Sequence, residues 1–328
     1  MSKNILQKVI VSIILIMIFF CLPAQTVQET LSIMPSFENI SYGPHERNVL
    51  DFWQAKSKNP TPVVVYIHGG GFINGSKDDI RRKEGVNVEK CLANGVSVAS
   101  ISYRLRNTTT LDMIMLDCAR AIQFLRYKSK EWNIDKTRFA AFGPSTGSGA
   151  SLWLAVHDDL ADPNSKDPVQ RQSSRLTVAG HLNSQASYDM EKWADIVRVT
   201  KTWQTDMNFN HDLIFYGITN REQINSPKAK QLRRKIDMPS FMDSTDAPLY
   251  LYNPKSDTNP EKSGNIVHHP RHAKYLKKKC DKLDIEAVLV VGETPPEKRV
   301  DMLDFFFKYL GVKKTSKADQ RGAFHVCR

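Results

Sequence analysis

Between the apolar run Arg138–Phe142 and the helix-forming stretch Ala150–Val156 stands Gly143-Pro144-Ser145-Thr146-Gly147. Strand, sharp turn and helix succeed one another, with a serine at the tip. A serine hydroxyl is a weak nucleophile until it is held clear of the backbone and given a base. The G-x-S-x-G turn does the first of these: its glycines let strand and helix pass close together and leave the serine alone at the top of a sheet. Ser145 is therefore the candidate nucleophile. The backbone N–H of Thr146, the next residue, is a candidate donor to the oxygen that becomes negative during attack.

The remaining pattern supplies the sheet. Phe37–Tyr42 and Asn48–Gln54 read as an edge hairpin around Gly43-Pro44, the second strand alternating as if half exposed. Pro62–Ile67 is a continuous β-branched run, which marks a strand buried on both faces. Further strands are expected at Val96–Tyr103, Arg138–Phe142, Leu176–Leu182, Pro248–Tyr252 and Glu286–Val291. Helices are expected at Asp79–Asn94, Leu111–Trp132, Arg271–Leu283 and Pro296–Leu310. Met115, Cys118, Ile122 and Leu125 share one helical face, as do Val300, Leu303, Phe307 and Leu310. Alternating strands and helices imply an α/β chain with a mainly parallel sheet and helices on both faces. From about 183 to 246 the pattern loosens into a polar stretch bearing Tyr188, Trp193, Trp203, Phe209, Phe215 and Tyr216. This reads as a helical cap insertion over the sheet. Residues 312–328 read as a tail.

The buried run Pro62–Ile67 ends in His68-Gly69-Gly70-Gly71-Phe72. Consecutive glycines let backbone N–H groups converge on one oxygen with no side chain in the way. Such donors contribute about 3 kcal/mol each in a transition state. Gly70 and Gly71 are the candidate donors, with His68 orienting the loop. Neither G-x-G-x-x-G nor a Gly-Lys-Ser/Thr ending is present, which argues against a phosphate loop.

Bulk properties exclude several classes. With 41% hydrophobic and 25% charged residues the chain can build a sizeable core. Its net charge is +11, but the basic residues are scattered, and Lys277-Lys278-Lys279 has no interleaved aromatics. That reads as a solvated face rather than a nucleic-acid site, although a basic surface favours acidic substrates. Residues 1–24 have the layout of a secretory signal peptide: Lys3 and Lys8, the apolar Val9–Leu22, then Pro23-Ala24. The apolar run is short for a membrane span, so export to the periplasm or medium is expected, without stable membrane insertion. The folded body is then 25–328. A lipoprotein signal at Cys21 is disfavoured by the bulky Phe20. Cys91, Cys118 and Cys280 fall at apolar helical positions, and the cysteine spacing fits no zinc site. Cys280 with Cys327 is the one pair worth testing for a bridge.

His-Gly-Gly-Gly-Phe about 75 residues before Gly-x-Ser-x-Gly resembles the hormone-sensitive-lipase-like branch of the α/β-hydrolases. Ser102-Tyr103-Arg104-Leu105 and Asn133-Ile134-Asp135-Lys136-Thr137-Arg138 resemble it too, and the similarity covers roughly Phe37–Leu310. Among its members it is most similar to exported bacterial carboxylesterases, some related to acetyl-xylan and feruloyl esterases. The resemblance implies an eight-stranded α/β-hydrolase sheet. It also implies hydrolysis of small-molecule or carbohydrate-linked esters through an acyl-enzyme, with no cofactor or metal.

The resemblance further implies an acid after the seventh strand and a histidine after the eighth. Asp257 stands where the acid belongs, although Ser-Asp-Thr-Asn is also good turn chemistry. Asp243 and Asp246 precede the strand, at the wrong sheet edge. After Val290-Val291-Gly292 the chain reads Glu293-Thr294-Pro295-Pro296-Glu297, with no imidazole. Three alternatives stand. The base has moved to His268 or His269, just past the acid, residues that otherwise serve helix entry ahead of Pro270. Or His325 folds back from the tail. Or there is no base, and the chain is a catalytically impaired hydrolase fold that binds ligand. His157 reads as structural.

Overall fold

The run Thr61–Ile67 forms β3, buried at all seven positions. Residues 33–199, 213–260 and 263–313 are described by the computed structural model on which the structure rests. The signal-peptide stretch, Cys21, Trp203, Phe209, His325 and Cys327 lie outside them, as does the tail beyond residue 313. Among the described residues no helix is long and apolar enough to cross a membrane.

Eight strands form one sheet in the order β1-β2-β4-β3-β5-β6-β7-β8. They are β1 (Phe37–Ser41), β2 (Val49–Trp53), β3, β4 (Ser97–Ile101), β5 (Ile134–Phe142), β6 (Val178–Leu182), β7 (Leu249–Tyr252) and β8 (Ala287–Val290). β1 and β2 run antiparallel, as do β2 and β4; all other neighbours are parallel. The helices are α1 (Asp79–Lys83), α2 (Gly85–Ala93), α3 (Leu111–Tyr127), α4 (Thr146–Val156), α5 (Trp193–Val197), α6 (Pro227–Lys235), α7 (Met238–Phe241), α8 (Ser263–Val267), α9 (Pro270–Leu283) and α10 (Met302–Tyr309).

Pleating sends alternate residues of β3 to opposite faces. Val63, Val65 and Ile67 join a core with Met115, Cys118, Ile122 and Leu125 of α3, Leu152 of α4 and Leu276 of α9. Val64 and Tyr66 join a second core with Val88 and Cys91 of α2 and Leu303, Phe306 and Phe307 of α10. The expected mainly parallel sheet, covered on both faces, is therefore present. The thiols of Cys91, Cys118 and Cys280 are free and buried.

Local departures from the sequence reading have local causes. The expected edge hairpin is half right: β1 is the edge, but β2 lies inside the sheet. Its Asp51 is fully buried, paired with Lys77 at 3.0 Å and accepting from the Asn39 N–H. A side chain that alternates as polar is here a buried ion pair. The helix expected over Asp79–Asn94 is two, broken at Glu84 (φ −128°, ψ 16°) ahead of the weak helix former Gly85. The long helix stops at Tyr127 rather than Trp132. Trp132 instead turns under the sheet and stacks on Phe37 (4.7 Å) and Phe52 (5.0 Å). The last helix starts at Met302, because Asp301 caps it by accepting from the Asp304 N–H. Val300 falls before that cap and is 40% exposed, not inward. The cap region is built of short 3₁₀ and α segments rather than long helices.

Two histidines lie fully buried where β6 meets α9. His181 donates from Nε2 to the Gln185 carbonyl (3.1 Å), and His272 donates from Nε2 to the Ile266 carbonyl (3.0 Å) while its Nδ1 accepts from the Ala186 N–H. Burial pushes His181 down to about 4, against the Gln185 bond. Burial, with help from His181, pushes His272 down to about 3, against the Ile266 bond. Both are neutral in the fold, whereas in the unfolded chain each takes a proton near pH 6.5.

Their contribution to stability is complete above pH 6.5 and is lost as the pH falls from there toward 4. For His181 alone the loss is on the order of 3 kcal/mol. The urea midpoint should begin to fall near pH 6.5, above the ordinary carboxylate range and only partly offset by Asp246, whose carboxyl is pushed up to about 6; a midpoint constant from pH 6.5 to 5 would contradict this. A second expectation comes from close packing. A Cβ on Gly143 would sit 1.8 Å from the Ile67 carbonyl oxygen, a backbone atom that cannot swing away. Gly143→Ala should cost at least about 2 kcal/mol, read as a lower denaturant midpoint.

Candidate active site

β3 and β5 are adjacent and parallel, so the loops leaving their C-terminal ends emerge side by side. Open α/β sheets bind ligands at this edge. Ser145 sits at the turn from β5 into α4 with φ 51° and ψ −118°, a conformation that L residues rarely adopt. The turn holds because its surroundings over-determine it. The Ser145 N–H donates to the Leu182 carbonyl of β6 (3.1 Å), and the Gly147 N–H donates to the Pro144 carbonyl. A Cβ on Gly147 would lie 1.9 Å from the Ile67 oxygen, and one on Gly149 would lie 1.9 Å from the Tyr188 hydroxyl.

The glycine loop after β3 bends through three successive positive φ values: Gly70 (106°), Gly71 (65°) and Phe72 (57°). Gly70 is confined on both counts, since a Cβ there would meet Asn74 at 2.3 Å. Among the described residues the N–H groups of Gly70, Gly71 and Thr146 donate to no protein acceptor. Thr146 is the first residue of α4, where helical N–H groups have no partner of their own. His68 is fully buried: its Nδ1 lies 2.7 Å from the Gly69 carbonyl, and its ring stacks on Tyr103 at 4.0 Å. Phe72 packs edge-on against Tyr103, Tyr188 and Phe215, pinning the loop beneath the insertion.

Ser145, Thr146 and Gly71 open into a pocket of about 240 Å3 that they share with His268. Tyr188, Trp193 and Phe215 of the insertion form its apolar wall. These aromatics both seal the insertion and shape the pocket. The Tyr188 hydroxyl donates to the Thr146 carbonyl (3.1 Å), and the Trp193 indole donates to the Ser187 carbonyl (2.7 Å).

The two candidate histidines separate. His268 lines the serine pocket, and its Nδ1 lies 2.7 Å from the Asn183 carbonyl oxygen. A carbonyl only accepts, so Nδ1 carries the proton and Nε2 is left as the basic nitrogen. Burial lowers the His268 pKa, opposed by the Asn183 bond and aided by Lys255. Among the described residues Ser145 Oγ and the His268 ring are not hydrogen-bonded to each other, and such contacts commonly tighten only around substrate. His269 has both nitrogens engaged. Nε2 donates to the Thr258 carbonyl (2.8 Å), while Nδ1 accepts from the Arg271 N–H and caps α9.

Asp257 lies apart from the serine pocket. Its Oδ1 accepts from Arg271 Nε (2.7 Å) and its Oδ2 from Lys274 Nζ (2.9 Å), and it lines a different cleft. Burial acts to raise its pKa, but the Lys274 and Arg271 bonds outweigh that and hold it below the usual carboxylate value. His157 packs on Trp153 and Phe241, away from the pocket lining. Asp246, in the turn before β7, is pushed up to about 6 by burial, against the bond it accepts from the Asp243 N–H.

Two residues at the His268 anchor went unread in the sequence. Asn183, at φ 52° just past β6, turns its carbonyl toward His268, and its N–H is held by the Tyr252 carbonyl (2.7 Å). Asn253, just past β7 and 1% exposed, donates from Nδ2 to both Asn183 Oδ1 (3.1 Å) and the His268 carbonyl (3.2 Å). An asparagine directly following each of two neighbouring strands was the available signal. Only the pairing of β6 with β7 makes it one feature.

The family model described as BD-FAE matches residues 50–259, more than half of the chain. The arylesterase of Saccharolobus solfataricus is 31% identical over 111 residues, 33% of this chain and 35% of that protein. The chain spans about a third or less of the length of the curated relatives it matches. Among solved structures, a truncated carbohydrate esterase from gut microbiota superposes with a TM-score of 0.62 at 18% identity, covering 87% of this chain and 99% of that one. An acetyl ester-xyloside bifunctional hydrolase from Caldicellulosiruptor lactoaceticus gives 0.56 at 19%, covering 88% and 99%. At such identities the superpositions speak for the fold, and they agree with the β3 and β5 loops in assigning an α/β-hydrolase architecture. The chain belongs to the BD-FAE family.

Proposed function

We propose that this chain is a carboxylic ester hydrolase working through an acyl-enzyme on Ser145, with His268 as its base. The observation that carries the proposal is one pocket holding Ser145, the Nδ1-anchored His268, and the N–H groups of Gly71 and Thr146. Ser145 Oγ attacks the ester carbonyl and passes its proton to His268 Nε2. The N–H groups of Gly71, Thr146 and the neighbouring Gly70 hold the oxyanion. His268 then protonates the departing alcohol, takes a proton from water for the second attack, and returns it to Ser145. No step needs a metal or cofactor. The pocket of about 240 Å3 suits a short acyl group, and the names of the structural neighbours favour a carbohydrate-borne ester. The charged and apolar layout of residues 1–24 supports export.

The acid of the scheme is unusual. A backbone carbonyl, not Asp257, meets His268 Nδ1. It sets the correct tautomer but brings only a dipole to the imidazolium that forms. A carboxylate would bring a full charge, so turnover is expected to be modest. The same observation favours a second reading, a ligand-binding hydrolase fold with vestigial catalysis. A fluorophosphonate probe separates the two: rapid covalent labelling of Ser145 supports the esterase, and none supports the binder.

Ser145→Ala and His268→Ala should each lower kcat/KM on p-nitrophenyl acetate by about 10³-fold or more. His269→Ala should leave kcat/KM nearly unchanged while removing about 1 kcal/mol of stability through loss of the α9 cap. Equal losses from the two histidine variants would refute the assignment. A neutral His268 is required, and its pKa is lowered in the fold. The acid limb of kcat/KM should therefore fall below the ordinary histidine value of about 6.5. An acid limb at or above that value would exclude His268 as the base.

A further inference from the structure

The cleft that receives Asp257 is larger than the serine pocket, about 650 Å3, and is built between α5 and α9. α9 lines it with Arg271, Lys274, Lys278, Lys279 and Lys282, and the α5 side adds Asp195 and, just past the helix, Arg198. Asp257 occupies only Arg271 and Lys274. Among the described residues Lys278, Lys279, Lys282 and Arg198 form no ion pair. Lys274, Lys278 and Lys282 follow one another at i, i+4 spacing, which sets like charges side by side and destabilises a helix. Six cations line the cleft against two acids, Asp195 and Asp257, the second already paired. The concentration of cations around a concavity focuses positive potential where a ligand would lie.

The cleft is not purely electrostatic. Tyr275, 37% exposed, stands in the cationic row, and Ile196 and Leu283 provide an apolar floor. An aromatic ring beside cations suits a ligand with an apolar C–H face and pendant anions. From Arg271 to Lys282 the row runs about 16 Å along the helix, more than one sugar residue. The cleft and the serine pocket have no lining residue in common but are built on the same elements. α5 gives Trp193 to the pocket and Ile196 to the cleft. α9 begins just after His268, and Arg271 ties the two helices by donating to the Val197 carbonyl (2.6 Å).

We propose that the α5–α9 cleft binds a carboxylate-bearing polysaccharide strand, uronate groups meeting Lys278, Lys279 and Lys282 and a pyranose face resting on Tyr275. The site stands apart from the esterase reading, because it is tested by binding of a polymer without an ester.

Affinity electrophoresis and calorimetry of the full chain with polygalacturonate, fully methyl-esterified pectin and neutral dextran provide the test. Polygalacturonate should bind, weakening as salt rises, while the methyl-esterified and neutral polymers should bind at least tenfold more weakly. Lys278→Gln/Lys282→Gln should reduce binding at least tenfold, and Tyr275→Ala about fivefold even at high salt. Both should leave the protein folded and hydrolysis of a small acetyl ester unchanged, with the lysine variant no less stable than the wild type. Lys230→Gln on α6 should have no effect, and Ser145→Ala should bind as the wild type does. An equal loss from Lys230→Gln would overturn the proposal. So would equal binding to anionic phospholipid vesicles or duplex DNA, or no binding of polygalacturonate. A wild-type protein that binds polygalacturonate but hydrolyses no ester would count only against the catalytic reading.

Discussion

The carbonyl oxygen of Ile67, the last residue of β3, is where the two functional loops meet. Gly143 and Gly147 both press against it so closely that a Cβ on either would lie within 2 Å. This contact brings the serine turn over the end of β3 and sets it beside the glycine loop that β3 itself becomes. The strained Ser145 backbone persists because the Leu182 carbonyl takes its N–H and the Ile67 carbonyl leaves no room to relax. The serine turn and the glycine loop are thus positioned by the sheet rather than by one another.

The insertion is fixed to that platform through aromatics and ion pairs. Phe72 reaches up from the glycine loop to Tyr188 and Phe215. The Tyr188 hydroxyl fills the space that Gly149 leaves on α4. Behind it, Arg233 grips Asp189 and Lys192 pairs with the buried Asp237. A burial penalty of this kind is repaid only by well-formed partners, and here the partners join the insertion to itself around the pocket wall. Shape of the acyl site and anchoring of the insertion are therefore one set of contacts.

The proposed base departs from the arrangement that the family resemblance implied. His268 follows β7, not β8, and is held by the backbone of Asn183 past β6, with Asn253 bracing both. Asp257 is drawn instead into a basic cleft by Arg271 and Lys274. What a carboxylate supplies is orientation, tautomer and charge; the Asn183 carbonyl supplies the first two.

Much of this was legible in the residues. Period-two and period-3.6 patterns located the eight strands and the main helices, because burial on one or two faces leaves that signature. The glycines of both motifs were readable because only close approach or positive φ requires them. Helix ends at Glu84, Tyr127 and Asp301 were not, since caps and the stacking of Trp132 decide them. Nor could sequence distinguish His268 from His269, adjacent residues of one type, or reveal that Asp257 faces α9. By itself the sequence determined the sheet, the serine turn and the glycine loop, whose signals are local to a few neighbouring residues. The tertiary structure alone decided which histidine turns into the pocket and which carbonyl meets it, because those contacts join strand ends more than 80 residues apart.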